Sequence, residues 1–399
     1  MKTLAEACEI RPSKAEASRK LAPTDLVSFL PMEDLGIDQK LLVPTRAKPL
    51  GEVNGSYTYF ADGDVLLAKI TPCFENGKLG IAANLKNGVG FGSSEYIVFR
   101  PAPSVDKEWL YYFLSRDAFR KEGAERMSGA VGHKRVAKEF VESCSIPIPP
   151  IAEQRRIVRI LDEAFAGIAA AQTNSEKNLQ NASSLFGSCL EDVFAKHDGQ
   201  GAENNKPLAD LCELIVDCEH KTAPTQEEGI PSIRTPNIGK GKLLLAGVYR
   251  VSEGTYREWT RRAEPLPGDL ILAREAPAGN VAVIPQGLKV CLGQRTVLIR
   301  PKRNVFEPEF LAFLLLQPRM QEMLLAHSRG ATVQHVNMKD IRALNISHIL
   351  PLAMQQDVVS RVNAVSQESE TLTAIYERKL AALRSLRASL LQGAFSGAL

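Results

Sequence analysis

The 399-residue chain contains two copies of one unit, and this internal repeat constrains its fold more than any other feature. Gly63-Asp64-Val65-Leu66-Leu67-Ala68-Lys69-Ile70-Thr71-Pro72 returns as Gly268-Asp269-Leu270-Ile271-Leu272-Ala273-Arg274-Glu275-Ala276-Pro277. Tyr96-Ile97-Val98-Phe99-Arg100-Pro101 returns as Thr296-Val297-Leu298-Ile299-Arg300-Pro301, and Trp109–Leu114 as Phe310–Leu315. Gly129-Ala130 and Gly330-Ala331 then lead through Lys138 and Lys339 to Pro150-Ile151-Ala152 and Pro351-Leu352-Ala353. The offset runs from 200 (Tyr96 to Thr296) to 205 (Gly63 to Gly268), too long a period for a solenoid. The chain is a tandem duplication.

Each copy reads alike. The apolar run after Gly-Asp (Val65–Ala68, Leu270–Ala273) suits a buried strand fed by a Gly-Asp turn, and the β-branched run before Arg-Pro is a second strand. A short amphipathic helix is expected around Trp109–Arg120 and again around Glu309–Leu325. Prolines 147, 149 and 150 in one copy, and Pro351 in the other, end a globular α+β portion of about 150 residues. Gly88-Val89-Gly90-Phe91-Gly92 lacks the spacing, following helix and acidic residue of a dinucleotide loop, so it reads as a turn between strands.

A long helix follows each portion. Pro150 fits a first helical turn, where its missing N–H costs nothing, and Glu153 favours the dipole there. Ile157, Leu161, Ala164, Ile168 and Ala171 fall on one narrow stripe, as do Leu372, Tyr376, Leu380, Leu383, Leu386 and Leu390. A seam that narrow wants a partner helix, and the two helices are most simply each other's partners. The alternative, each helix packing on its own domain, sits badly with about 60 Å of helix from about 40 residues. The expected organisation is a globular domain (1–149), a central spacer helix (150–196), a linker (197–206), a second domain (207–350) and a C-terminal spacer helix (351–399). The fold class is α+β, with two tandem domains separated by two long antiparallel coiled-coil helices and related by a pseudo-two-fold repeat.

Catalytic signatures are missing: no Walker A run, no H-E-x-x-H, no G-x-S-x-G and no N-P-P-[FY] tetrapeptide. Glu377-Arg378-Lys379 has a nuclease-like E-x-K spacing but falls on a helix face. Seven cysteines are an odd and scattered set, which argues against a disulfide framework. Cys212, Cys218 and His220 come nearest to a metal cluster, yet their spacing matches no familiar site, so buried thiols in a reducing compartment are expected. The longest apolar run, Phe310–Leu316, is far short of the roughly 20 residues a membrane helix needs. The charged start, Met1 to Lys20, has no apolar signal region, so the expected location is cytoplasmic.

Binding is what remains. Net charge is only +3, and the two globular portions carry 20 Lys+Arg against 19 Asp+Glu and 18 against 15, so any basic face must be local. His133-Lys134-Arg135 and Arg261-Arg262 are the clusters suited to phosphates. Ser93, Ser94, Gln294, Gln334, His335 and Asn337 offer polar groups for base edges, and Arg274 and Arg295 suit guanine. With His133, Lys134 and Arg135 these form the candidate DNA-binding set; no catalytic or metal residue is nominated. Composition by itself leaves the ligand open between nucleic acid and protein.

Several stretches carry a family resemblance over essentially the whole chain. Ile146-Pro147-Ile148-Pro149-Pro150-Ile151-Ala152-Glu153-Gln154-Arg155-Arg156-Ile157-Val158 and Leu386-Arg387-Ala388-Ser389-Leu390-Leu391-Gln392-Gly393-Ala394-Phe395-Ser396-Gly397 are the most specific. Ile70–Lys78, Gly92–Tyr96 and Gly330–Ile341 add to them. Together they resemble the DNA-specificity subunit of type I restriction–modification systems. The approach to the second helix departs from the pattern, since Leu350-Pro351-Leu352-Ala353-Met354-Gln355 lacks the double proline and the Glu. The resemblance implies a subunit without catalysis of its own. Each domain would be a target-recognition domain reading half of a split, asymmetric site on double-stranded DNA, and the helix pair would set the gap and dock two adenine-methyltransferase (modification) subunits. It further implies restriction subunits as partners, with S-adenosylmethionine, ATP and Mg as cofactors of the partners and none in this chain. A non-DNA interaction scaffold with duplicated domains on a coiled-coil bar is the competing class, and an enzyme with an unrecognised nuclease or methyltransferase site is a third.

Overall fold

The computed structural model of the protein describes residues 1–130, 132–196, 205–219, 221–326, 335–347 and 349–399. It comprises two compact units, Met1–Ser175 with Arg378–Leu399, and Glu176–Glu377. Both long helices cross this division, so each unit holds one globular portion and a stretch of each helix. Among the described residues no helix is long and apolar enough to cross a membrane.

In the first unit the strand Val65–Ala68 is the centre of a five-stranded sheet, ordered Cys8–Ile10, Tyr96–Pro101, Val65–Ala68, Leu79–Ala82, Leu41–Leu42. Its side chains alternate between two cores. Val65 and Leu67 pack with Trp109 and Phe113, while Leu66 and Ala68 pack with Phe60 and Tyr96. A strand covered on both faces must be apolar throughout, which explains the unbroken run. The second unit repeats this: Leu270–Ala273 lies between Thr296–Pro301 and Val281–Val283, with Leu270 and Leu272 in one core and Ile271 and Ala273 in another.

The Gly-Asp turns do more than feed these strands. Asp64 is buried, accepts the Ala61 N–H at 2.8 Å, and receives two hydrogen bonds from Arg100 (2.9 Å each). Asp269 does the same with Leu266 N–H (2.8 Å) and Arg300 (2.8 and 2.7 Å). The repeated Gly-Asp and Arg-Pro motifs are therefore two halves of one bidentate pair, the geometry in which guanidinium and carboxylate bind most strongly.

A smaller sheet stands beside each large one. In the first unit its order is Arg46–Pro49, Leu26–Leu30, Val89–Gly92, Thr58–Ala61, with Leu26–Leu30 parallel to Val89–Gly92. This corrects the expected turn: only Gly88 turns (φ +68°), and Val89–Gly92 is a buried inner strand. Its glycines are there for space. A Cβ on Gly90 would lie 2.2 Å from the Phe60 ring, and one on Gly92 would lie 2.3 Å from the Leu30 carbonyl oxygen.

The amphipathic helices also differ from expectation. Each is two helices: Lys107–Leu114 then Asp117–Glu125, and Pro308–Leu316 then Pro318–Leu325. Trp109–Leu114 and Phe310–Leu316 are buried on every side rather than on one stripe. In the second unit Pro318 forces Gln317 into an extended conformation (ψ 137°) and ends the first helix there.

The long helices run Ile151–Ala195 and Leu352–Ser396, 45 residues each, or about 68 Å. The second starts at the equivalent place despite its departure from the pattern, because the residue that matters is shared. Gln154 is fully buried, donates to the Ser104 and Pro149 carbonyls (2.8 Å each) and accepts the Asp106 N–H (2.8 Å). Gln355 repeats this with the Val305 and Leu350 carbonyls (2.8 and 2.7 Å) and the Glu307 N–H (2.8 Å).

Within each unit the two helices lie side by side and run antiparallel. In the first, Arg387 lies over the Phe165 ring at 5.2 Å while Ile157 and Leu161 share a core with Leu391 and Ala394. In the second, Ser369 Oγ donates to the Ala182 carbonyl (2.7 Å) while Phe186, Leu190 and Phe194 share a core with Val358 and Val362. Ile157, Leu161, Ile168 and Leu380 are buried, and Ala164, Ala171, Leu372, Tyr376, Leu383 and Leu390 are half-buried. Leu386 is the exception: it is 48% exposed, so it is not a seam residue. A stripe continued from Leu380 at heptad spacing reaches Arg387, Leu391 and Ala394, one position further round the helix. The helices also pack on the globular portions: Ile157 and Leu161 enter the core around Trp109, and Phe194 packs against Phe310 with ring centres 5.4 Å apart. The expected contrast between pairing with each other and packing on a domain does not hold, because one helix does both along its length.

Candidate nucleic-acid interface

In both units the candidate side chains gather where three segments meet at the end of the central strand. The backbone frame is duplicated. Lys69 N–H donates to the Glu95 carbonyl and Val136 N–H to the Lys69 carbonyl; Arg274 N–H donates to the Arg295 carbonyl and Val336 N–H to the Arg274 carbonyl, all at 2.9 Å. Isolated bridges join Ile70 to Arg135 and Glu275 to His335. Positions 69, 95 and 135 are thus equivalent to 274, 295 and 335. The apolar residues Val136 and Val336 anchor the third segment by burial.

On that common frame the charges are placed differently. In the first unit the acid is Glu95, and Arg135 clamps it with Nε–Oε2 at 2.9 Å and Nη2–Oε1 at 2.7 Å. Lys69 lies 3.9 Å from the same carboxylate and donates to the Ser94 carbonyl at 2.8 Å. The Arg135 bonds hold the Glu95 carboxyl below its usual range, with help from the Lys69 and His133 charges. Burial lowers the Lys69 ammonium, and Arg11 and Arg135 nearby push it the same way. Lys69 and Arg11 therefore belong to this cluster; Lys69 is the repeat's counterpart of the candidate Arg274, whereas no sequence signal singles out Arg11. Arg11 is remote in sequence and reaches the site by sheet pairing, its N–H donating to the Val98 carbonyl at 2.8 Å.

In the second unit the acid is Glu275, at the position that Ile70 holds in the first. Arg295 pairs with it at 2.6 Å, and His335 Nδ1 lies 2.9 Å from it. Arg274 donates from Nε to the Val336 carbonyl and from Nη2 to His335 Nε2, both at 2.9 Å. Guanidinium nitrogens only donate, so Nε2 is the acceptor of the Arg274 contact and Nδ1 faces Glu275. Glu275 carries no motif of its own. The signal that could have found it is the repeat itself, in which a carboxylate directly after Arg274 replaces the apolar Ile70 after Lys69.

The remaining candidates divide. Ser94, His133 and Lys134 are exposed beside the Glu95–Arg135 pair. Ser93 is half-buried, and its Oγ accepts the Glu95 N–H (3.2 Å) within its own turn. Gln294 precedes Arg295, which adopts a positive φ of 63°. Asn337 is exposed at the start of the helix Met338–Ala343, where its Nδ2 donates to Asp340 at 3.1 Å. Gln334 lies outside the described residues, as do His220 and the linker through Asn204. Arg262 is exposed and pairs with Asp217 (2.8 Å) and Glu219 (3.4 Å). Cys212 and Cys218 are buried, and burial pushes the Cys212 thiol up to about 12.

The comparisons with known proteins agree with one another. The family model for the type I restriction modification DNA specificity domain matches residues 30–180 and 204–378. The EcoAI specificity subunit of Escherichia coli is 40% identical over 133 residues, 33% of this chain and 23% of that one. The EcoEI specificity subunit of the same species is 40% identical over 160 residues, 39% of this chain and 26% of that one. The matched stretches thus span about a quarter of the length of these two relatives. Among solved structures, a chain of a type I R-M system covers 99% of this chain and 96% of its own length, with TM-score 0.73 and 19% identity. The HsdS subunit from Thermoanaerobacter tengcongensis covers 100% and 96%, with TM-score 0.62 and 20% identity. At such identities these two likenesses bear on the fold.

Proposed function

The chain belongs to the type I restriction–modification DNA-specificity family, and from that premise we propose that it is the sequence-reading subunit of such a complex. Each globular portion reads one half of a bipartite, asymmetric site on double-stranded DNA. The observation that supports this reading is the duplicated junction: one backbone frame carries Lys69, Glu95 and Arg135 in one unit, and Arg274, Arg295 and His335 with Glu275 in the other. Two readers on one frame with different donors and acceptors meet different base edges, so the two halves of the site differ. Phosphate contacts from neighbours such as Lys134 fix register without carrying sequence information.

The helix pair sets the number of unread base pairs and offers docking surface to two modification subunits that methylate adenine. Restriction subunits complete the complex. S-adenosylmethionine, ATP and Mg serve those partners, and the chemistry is theirs; this chain supplies address rather than catalysis. Its place is the cytoplasm, with the DNA it reads.

Co-expression with the neighbouring methyltransferase, followed by long-read mapping of methylated adenines, tests the reading. The expected result is a single motif in two parts across a fixed gap, modified on both strands. Exchange of residues 1–149 for the matching domain of a relative is expected to change one half only. A stable complex that leaves no motif would refute DNA reading, and a change in both halves would refute the division of labour.

A further inference from the structure

The tip of the smaller sheet carries different chemistry in the two units. In the first, Phe29 pairs with Phe91 on one side and Arg46 on the other. In the second, Ser232 pairs with Cys291, and its N–H donates to the Tyr249 carbonyl at 2.7 Å. Phe91 and Cys291 are equivalent at the offset of 200 that also relates Tyr96 to Thr296, so Arg46 and Tyr249 hold the same place. A single 3-10 turn follows each strand, Met32–Asp34 and Thr235–Asn237. In the first unit that turn is acidic and neutralises Arg46, through Glu33 at 3.4 Å and Asp34 at 3.0 Å.

The second unit replaces this pair with a stack. Arg234 stands at the head of the turn and lays its guanidinium 5.3 Å from the Tyr249 ring centre, while Tyr249 is 54% exposed. Among the described residues Arg234 has no carboxylate partner. Its stem passes over Gly293, where a Cβ would come within 2.7 Å of Arg234 Cγ and 2.9 Å of the Ile233 carbonyl oxygen. Gly293, whose N–H donates to the Ile233 carbonyl at 2.7 Å, is followed in the chain by the candidates Gln294 and Arg295.

We propose that Arg234, held on the Tyr249 ring, reads a guanine in the half-site of the second domain. The inference rests on the DNA-reading function proposed above and names one of its specificity residues. A guanidinium presents five donors in a fixed fork that matches guanine O6 and N7. Stacking on an aromatic face holds that fork without consuming its donors. With no carboxylate partner among the described residues, the fork is available to a ligand. Arg46, which holds the place of Tyr249 in the first unit, is already occupied by two carboxylates, so the contact is peculiar to the second half-site.

The test is methylome mapping of the full chain co-expressed with its methyltransferase, comparing Arg234→Lys with the parent. Lysine keeps the charge and loses the fork. The expected outcome is one G·C position in the second domain's half becoming degenerate, with discrimination there falling about tenfold to a hundredfold. The other half and the gap stay as they were. Tyr249→Leu is expected to relax the same position, whereas Tyr249→Phe keeps the ring and leaves it strict. The proposal is overturned if Arg234→Lys leaves every position strict, if the relaxed position is an A·T pair or lies in the first domain's half, or if methylation falls equally at all sites with the motif unchanged. A Tyr249→Leu variant that keeps the position strict removes the platform and overturns the proposal too. A parent chain that yields no bipartite motif refutes DNA reading itself, before any variant is compared.

Discussion

Arg135 and Lys134 are neighbours in the chain and exposed together, yet their surroundings give them different work. Arg135 is oriented by two hydrogen bonds to Glu95, so its remaining donors point in a defined direction, as a base reader requires. Lys134 has its backbone carbonyl committed to the Thr71 N–H at 2.9 Å while its ammonium sits on a flexible stem, which suits a phosphate. Arg135→Ala is expected to relax one position of one half-site by about tenfold or more. Lys134→Ala is expected to weaken binding to all sequences alike and to reduce the salt slope by about one. Binding titrations against a set of single-base variants, repeated at two salt concentrations, distinguish the two outcomes; equal relaxation by both would contradict these assignments.

At the scale of elements, the helix pair offers a sharp contrast between nearby leucine positions. Leu391 is 6% exposed in the core that also holds Trp109, and Leu386 is 48% exposed. Leu391→Ala is expected to destabilise the first unit by about 2–5 kcal/mol. Leu386→Ala should stay within about 0.5 kcal/mol. Denaturant unfolding followed by Trp109 fluorescence, in a Trp259→Phe background, measures both. The length of the helices is the second lever. Seven residues inserted near Ala170, matched by seven in the facing stretch around Arg384, add two turns or about 10 Å. The unread gap is expected to grow by about three base pairs, at about 3.4 Å per step. A gap of unchanged length, read from the methylation motif, would show that the helices do not measure it.

For the whole molecule, a net charge of +3 predicts no strong affinity for DNA from bulk charge alone. Local cations not engaged in base reading must do the neutralising, such as the exposed Lys134 in one unit and Arg261 in the other. If three phosphates or more are neutralised, affinity for a cognate duplex should fall at least about thirtyfold between 50 and 200 mM salt. Fluorescence anisotropy of the assembled complex on labelled duplex checks this. Binding that is indifferent to salt would favour a protein ligand and the scaffold class.

The duplication, the apolar central strands, the long helices and their start beside Pro150 and Pro351 were all legible in the sequence, because each depends on local pattern: period, proline and unbroken apolarity. So were Arg135, Arg274, Arg295 and His335 as candidates, from residue type and the repeat. Their grouping was not. Arg11 reaches its cluster through sheet pairing, Arg234 meets the Tyr249 ring only in the fold, and Glu275 becomes the acid of its junction only when a bridge brings His335 beside it. The exposure of Leu386 likewise follows from how far the seam has rotated by that turn, which spacing over a few residues leaves open. Sequence determined the unit, its copy number, the central strands and the long helices, since these are set by neighbours along the chain. Tertiary structure decided which charge faces which, since a carboxylate acquires its partner only when distant segments are brought within hydrogen-bond reach.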